Sequence, residues 1–434
     1  MLNRIVKLAI VTAVTASLTL TFAGCTKGGS ATNGPSEEGG ISTLSMWTHN
    51  AGNTDELNAI EQVVSDYNAS QTKYKVELQA FPQDSYNQSV VAAASAKKLP
   101  CILDIDGPNV PNWAWAGYLA PIEGMDDTLS KFLPTVLGKW SDKTYSYGYY
   151  DVALNLATRT TTLEKYDIRI PSMDKPWTKD EFTAALKKVK DSGDFQYPLD
   201  LQTGNTGEWW PYAYSPFLQS AGGDLINRSD FKSADSVLNG PEAVAWGEWF
   251  RSLVTEEYMP LKSGADPAKD FLNGKTAILY TGSWSAADAR EKFGDDVLFV
   301  PPVDLGKGPK IGGGSWQWGI STQCGAAEGA QDYMKFAAAD KYVASVSKAT
   351  GTIPATDAGA DMVPGYEAGG ENDIFRQFSK KYALLRPETP GYPFIATEFT
   401  KIAQDILNGA DPKTALDTAV KNIDANQESN NFFE

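Results

Sequence analysis

Leu44-Ser45-Met46-Trp47-Thr48-His49, Tyr74-Lys75-Val76-Glu77-Leu78-Gln79-Ala80 and Cys101-Ile102-Leu103-Asp104-Ile105-Asp106 are three strand-like segments separated by two stretches of helical character. In the second, Tyr74, Val76, Leu78 and Ala80 alternate with the period of two that a half-buried strand requires. Thr54-Asp55-Glu56-Leu57 starts the first helix with a capping residue and acids in its first turn, and Leu57, Ile60, Val63, Val64 and Tyr67 recur at helical spacing. Asp84 to Ala96 reads as the second helix. The order is βαβαβ, which predicts a parallel sheet with its ligand crevice at the carboxyl ends of the strands. That edge would hold Trp47, His49, the 81–86 turn and Asp106-Gly107-Pro108-Asn109.

Upstream, Arg4 and Lys7 precede an apolar run from Leu8 to Leu20, the length of an export signal and too short for a bilayer span. The run ends Thr21-Phe22-Ala23-Gly24-Cys25, which resembles the lipobox of bacterial lipoproteins, with Phe22 where leucine is commoner. The resemblance implies that Cys25 is lipidated and holds the mature chain on the outer face of the cytoplasmic membrane. Thr26 to Gly40 carries five glycines among Ser, Thr and Asn, and is read as a disordered tether, with the folded part starting near Ile41.

Roughly 390 residues follow the tether, enough for two domains of ordinary size. Loss of Arg4 and Lys7 with the signal takes 38 basic residues to 36 against 54 acidic ones, so the formal charge moves from −16 to −18. A chain so acidic, without a basic run, is a poor candidate for nucleic acid. Its single histidine, His49, rules out multi-histidine metal sites and disfavours a Ser-His-Asp site. Neither metal nor cofactor is expected. Cys101 and Cys324 are read as two buried free thiols, with a disulfide as the alternative.

Between about Tyr149 and Pro309 helices are expected to dominate. Thr178-Lys179-Asp180-Glu181 has capping-box spacing, Gly240-Pro241 opens a helix to Val254, and Thr276 to Tyr280 is a short strand. After Gly312-Gly313-Gly314 an alternating strand puts Trp316, Trp318 and Ile320 on one face, and helices fill the last 60 residues apart from the 386–392 interruption. Gly274-Lys275-Thr276 looks like the end of a phosphate-binding loop, but Lys269 stands where glycine is needed and a strand follows.

In order along the chain, further stretches resemble the extracellular solute-binding proteins of bacterial ABC transporters, in the branch that carries sugars. They are Asp84-Ser85-Tyr86 with Leu99-Pro100; Trp115-Ala116-Gly117-Tyr118-Leu119-Ala120-Pro121-Ile122; Phe271 to Ala277 with Gly282-Ser283-Trp284; Gly312 to Ile320; and Arg386-Pro387 to Tyr392. The resemblance implies a periplasmic-binding-protein-like α/β fold of two lobes with a hinge and an interlobe ligand cleft. Lobe I would comprise 41–149 with 310–363, and lobe II 150–309 with 364–434. The implied protein is a monomer that captures a neutral di- or oligosaccharide by closing on it, delivers it to the permease, and catalyses nothing.

A sugar ring presents an apolar C–H face and a fringe of hydroxyls, so its receptor needs flat aromatic plates and directional polar partners. With 12 tryptophans, the chain offers Trp47, Trp209, Trp210, Trp284 and Trp316 as candidate plates. Trp209 and Trp210 follow a loop, and one of the two is expected to face the cleft. Trp318 stands evenly between ligand and core, while Trp115, Trp140, Trp246 and Trp249 are read as core. Polar candidates are His49, Asp84, Asp106, Asn109, Glu208 and Arg386, with Gly313 and Ser315 in the glycine-rich loop. Each has a plainer role: a helix cap for Asp84, a solvated turn for Asp106 and Glu208, a surface position for His49, a loop anchor for Arg386. An exported glycoside hydrolase using a carboxylate pair is the alternative from another class, and a receptor for peptides or other small polar ligands is a third.

Overall fold

The computed structural model describes residues 37–38 and 40–434. The export signal, Cys25 and nearly all of the tether lie outside the described residues. The tether reading ends too late: Glu37–Glu38 pairs antiparallel with Ile41 and Ser42.

Strand Ile41–Thr48 lies between Tyr74–Ala80 and Ile102–Asp106 and runs parallel to both, with helices Thr54–Ser70 and Gln83–Ser95 as the crossovers. This is the βαβαβ unit read from sequence, set within an eight-stranded sheet. Beyond it the sheet becomes antiparallel. Trp316–Ser321 pairs with the Ile102–Asp106 strand in the register Trp316↔Asp106, Trp318↔Asp104, Ile320↔Ile102, and Lys143–Tyr147 and Leu137–Trp140 follow. The sheet is thus mixed rather than parallel throughout. Its extra strands arrive from other parts of the chain and not through a βαβ crossover, so nothing forces them parallel. All five residues of Ile102–Asp106 are buried, as a central strand covered on both faces must be. Ile102 joins Met46, Ile60, Val63, Trp318 and Tyr333 in one core, and Leu103 and Ile105 join Tyr86, Val90 and Trp113 in another.

A four-stranded sheet runs in the order Tyr197–Asp200, Thr276–Gly282, Leu154–Arg159, Val297–Val300. Helices do dominate the middle region, as read from sequence, but only the Thr276 strand of this sheet was expected and the other three are additions to that reading. Leu154–Arg159 is buried at five of its six positions, which removes the alternation that betrays a strand in sequence. Helices Lys179–Ser192, Trp209–Ala221, Pro241–Thr255, Tyr392–Leu407 and Pro412–Ser429 contribute to the larger core, where Phe217, Trp246, Phe250 and Phe399 are buried. The capping box forms: Glu181 N–H donates to Thr178 Oγ1, and Thr178 N–H donates to Glu181 Oε2.

The chain passes between the two sheets after Tyr147, after Val300 and after Pro354. Two short pairs mark these passages, Tyr150–Asp151 with Ile353–Pro354 and Ile311–Gly312 with Ala383–Leu384. Buried Asp151 ties them together, accepting from Thr135 Oγ1, Ser379 Oγ and the N–H groups of Val152 and Gly314.

Cys101 and Cys324 form a disulfide, Cα–Cα 4.3 Å, which corrects the free-thiol reading. Sheet register closes the 223-residue gap: Ser321 N–H donates to Cys101 O, and Cys324 lies in the turn just beyond. Trp318 is core, as are Trp246 and Trp249, but Trp115 is 44% exposed and packs edge-on to Phe433. Among the described residues, no helix is long and apolar enough to cross a membrane.

Candidate ligand-binding site

The carboxyl end of the Ile102–Asp106 strand and the amino end of the Trp209–Ala221 helix meet at one buried guanidinium. Arg386 follows the Ala383–Leu384 strand; its Nη1 donates to Glu208 Oε1 at 2.7 Å and its Nη2 reaches Asp106 Oδ1 at 3.5 Å. Tyr392 Oη also donates to Glu208 Oε1, and the guanidinium lies over the Tyr212 ring, 5.1 Å from its centroid. Two carboxylates share one cation where water is scarce. Burial raises the Glu208 pKa, Arg386 pulls it down and Asp106 raises it again, leaving it pushed up to about 7. Burial also raises Asp106 against the pull of Arg386. Burial alone would lower Arg386, but its carboxylate partners reverse that, and it stays a cation.

Aromatic rings extend this cluster on both sides. Tyr212 meets Trp209 edge-on at 6.0 Å, and Trp209 meets Trp284 at 6.4 Å. Trp284 is 37% exposed, and its ring lies where a Cβ on Gly282 would stand 2.0 Å away, so only glycine fits there. On the other side Trp316, the strand partner of Asp106, lies flat on His49 with ring centroids 3.6 Å apart and 11° between planes. His49 is buried, its Nδ1 2.6 Å from Asp104 Oδ2, and Thr48 Oγ1 donates to the same oxygen. Desolvation lowers the His49 pKa, but the charge and hydrogen bond of Asp104 outweigh it and the net shift is upward. Glu56 faces the pair, held by Tyr150 Oη and Asn53 Nδ2.

The fold therefore gathers His49, Asp106, Glu208, Trp209, Trp284, Trp316 and Arg386 into one continuous region. The remaining sequence candidates lie apart from it or serve it indirectly. Trp210 is in the core with its Nε1 donating to Asn205 O. Adjacent helical positions diverge by about 100°, so one indole turns inward and Trp209 outward. Trp47 packs on Phe81, ring centroids 4.6 Å apart. Asp84 is exposed in the first turn of its helix and makes no capping hydrogen bond, so it favours the helix dipole without closing the N-terminus. Asn109 is buried in the turn after Asp106. Ser315 Oγ donates to the Trp316 carbonyl. The glycine run lets protein approach closely: a Cβ on Gly312 would meet the Tyr212 ring at 2.5 Å, and one on Gly313 would meet Ala383 Cβ at 3.0 Å. Asp106 and Arg386 are buried rather than solvated, the Glu208 side chain keeps 28% of its surface exposed, and His49 is not a surface residue.

Tyr212, Tyr392 and Asp104 were not among the sequence candidates. Each left a signal: Tyr212 is three positions after Trp209 on a helix, Asp104 alternates with Asp106 on one strand face, and Tyr392 ends the stretch begun by Arg386.

Residues 62–371 match the family described as bacterial extracellular solute-binding protein. The chain belongs to that family. The diacetylchitobiose binding protein DasA of Streptomyces coelicolor is 23% identical over 331 residues, 73% of this chain and 74% of its own. An uncharacterized lipoprotein in the oleD 5′ region of Streptomyces antibioticus is 26% identical over 332 residues, 72% of this chain and 69% of its own. Among solved structures, the GacH receptor of Streptomyces glaucescens, known unliganded and with acarbose, matches with a TM-score of 0.74 at 20% identity, covering 90% of this chain and 98% of that one. This solute-binding protein accordingly has the periplasmic-binding-protein-like α/β fold, and its family is one of binding proteins rather than enzymes.

Proposed function

We propose that the protein is the sugar-capturing component of an ABC importer, tethered by a lipid on Cys25 to the outer face of the cytoplasmic membrane, and that it binds a neutral di- or oligosaccharide without cleaving it. The observation that carries this reading is the Asp106–Arg386–Glu208 cluster flanked by Trp316 on one side and Trp209 and Trp284 on the other. Indoles supply plates for the C–H faces of sugar rings, and the carboxylates and guanidinium supply acceptors and donors for hydroxyls. Relatives that bind diacetylchitobiose and acarbose support the ligand class, and the lipoprotein relative supports the anchor.

The proposed lobes are 41–149 with 310–363 and 150–309 with 364–434, each built on one of the two sheets. Ligand would touch both only when the cleft is shut, so binding shifts an open–closed equilibrium, as in the hinge closure of periplasmic binding proteins. The closed monomer is then the form presented to the permease. The hydrolase alternative is not retained, because Asp106 and Glu208 are both engaged by Arg386 and no relative favours it.

Calorimetric titration with maltotetraose, N,N′-diacetylchitobiose and acarbose, with chromatography of the sugars afterwards, tests the proposal. Saturable binding with intact sugars is expected; release of shorter sugars would return the hydrolase. For the anchor, Cys25→Ser should abolish metabolic lipid labelling while leaving the folded region unchanged.

A further inference from the structure

His49 is the single histidine of the chain, and it is placed beneath an indole rather than in contact with solvent. Asp104 Oδ2 receives three groups from one side: His49 Nδ1 at 2.6 Å, Thr48 Oγ1 at 2.9 Å and the His49 N–H at 3.4 Å. The Asp104 N–H donates to Tyr86 Oη, and the Tyr86 ring stands edge-on to both His49, at 6.4 Å, and Trp316, at 5.8 Å. The imidazole is therefore fixed in position and plane before Trp316 is added to it. Trp316 lies parallel on that ring at stacking distance, yet it is only partly buried. Among the described residues no ring besides His49 and Tyr86 packs on it, so part of its surface stays accessible.

We infer that His49, clamped by Asp104, is the positioning residue for Trp316: it holds the indole in one orientation and so preforms the plate on which a sugar ring stacks, without touching the sugar itself. This rests on the sugar-binding reading of the same site. An indole free to turn must be ordered when ligand arrives, which for a side chain costs about three- to tenfold in affinity. A ring already stacked on a buried, hydrogen-bonded partner has met that cost during folding. The Trp316 backbone is fixed by its pairing with Asp106, so what His49 adds is control of the side-chain torsions.

The experiment uses tag-free protein labelled with 5-fluorotryptophan and with 13C-histidine. Loss of one fluorine line in Trp316→Phe assigns Trp316, and the His49 ring protons, the only ones of their kind, are read directly. In the unaltered protein His49 is expected to show an upfield ring-current shift that disappears in Trp316→Ala, and Trp316 a single narrow fluorine line. In His49→Asn, which keeps a donor for Asp104 but removes the flat ring, that line should broaden or split. Affinity for whichever of the three sugars binds should then fall about three- to tenfold, with the urea midpoint changed far less than a core substitution would change it. A His49 resonance without ring-current shift, or an unchanged fluorine line and affinity in His49→Asn, overturns the inference. If His49→Asn does not fold, the ring-current measurement on the unaltered protein decides. If none of the sugars binds the unaltered protein, the proposed function fails, while the two spectroscopic readings still judge the positioning role.

Discussion

Arg386 and Asp106 are 280 positions apart and meet in the interior, Nη2 to Oδ1 at 3.5 Å, each less than a tenth exposed. Asp106 ends a strand of the eight-stranded sheet, and Arg386 leads into the helical core around the other sheet. The same guanidinium holds Glu208. One side chain thus links the two halves of the fold at the place where the aromatic rings converge.

Removing that cation should be costly. Arg386→Met would leave Asp106 and Glu208 facing each other with no counter-charge, a change that costs about 3 to 5 kcal/mol when a buried pair is broken. The expected result is an early urea transition and, in scattering, a larger radius of gyration for the ligand-free variant. Adding Glu208→Gln and Asp106→Asn to Arg386→Met should recover part of the loss. An unchanged midpoint in Arg386→Met would show that the linkage contributes nothing to the folded state.

Stability should decline as pH rises from about 5 to 8. His49 is raised above its ordinary value by Asp104, with Glu56 and Asp106 adding to the effect. Glu56, Asp106, Asp151 and Asp200 are raised first by burial, and Glu208 is pushed up to about 7. Each of these groups binds its proton more tightly folded than unfolded, so the stability it contributes is complete below the unfolded pKa and lost as pH climbs through the folded one. Tyr86 and Tyr150, which also face this cluster, stay neutral across the range. In the opposite sense Glu181, held at about 2 by Arg169, loses its contribution only as pH falls below its unfolded value. Urea midpoints at pH 5, 6, 7 and 8 check the sign; a rise across the series would contradict it.

The Cys101–Cys324 bond should stabilise the fold without serving the site. It closes a 223-residue separation, and removal of a native disulfide typically costs about 2 to 4 kcal/mol. Cys101→Ser with Cys324→Ser is expected to lower the thermal midpoint while leaving sugar affinity within about twofold, since the bond lies at the amino end of the Ile102–Asp106 strand and the site at its carboxyl end. A comparable loss of affinity would mean that the bond reaches the cleft.

The bond also shows where sequence reading stops. The βαβαβ unit was legible because each strand is bounded by a periodic helix, and the crevice edge it predicts does carry His49 and Asp106. The disulfide was not, because it depends on Trp316–Ser321 arriving antiparallel beside Ile102–Asp106, a pairing that no local periodicity encodes. The same holds for three strands of the four-stranded sheet, of which Leu154–Arg159 is buried at five of its six positions. Arg386 and Glu208 could be named as polar candidates, but their pairing with each other and with Asp106 is a product of tertiary packing. The solvated turn fails for Asp106, which the fold buries, whereas the loop-anchor role of Arg386 is compatible with its bonds to Glu208 and Asp106.

Tryptophan substitutions separate plates from core. Trp246 is 1% exposed and stacks between Phe250 and Phe399, so Trp246→Ala should cost about 3 to 5 kcal/mol of stability and leave the affinity of the remaining folded protein unchanged. Trp284 has the Gly282 backbone and the edge of Trp209 against it, and over a third of its surface is free. Trp284→Ala should therefore shift the urea midpoint little and weaken sugar binding about tenfold to a hundredfold, the loss of one stacking plate. Trp316→Ala stands between the two, because its indole also covers His49 and the Asp104 hydrogen bond beneath it. It should lose affinity as Trp284→Ala does and, in addition, unfold earlier, by an amount smaller than Trp246→Ala. Affinity and urea unfolding measured on all three variants give six numbers with a fixed order. If Trp284→Ala and Trp316→Ala both unfold as early as Trp246→Ala while binding sugar normally, the plates are elsewhere, and Trp209 becomes the next ring to test.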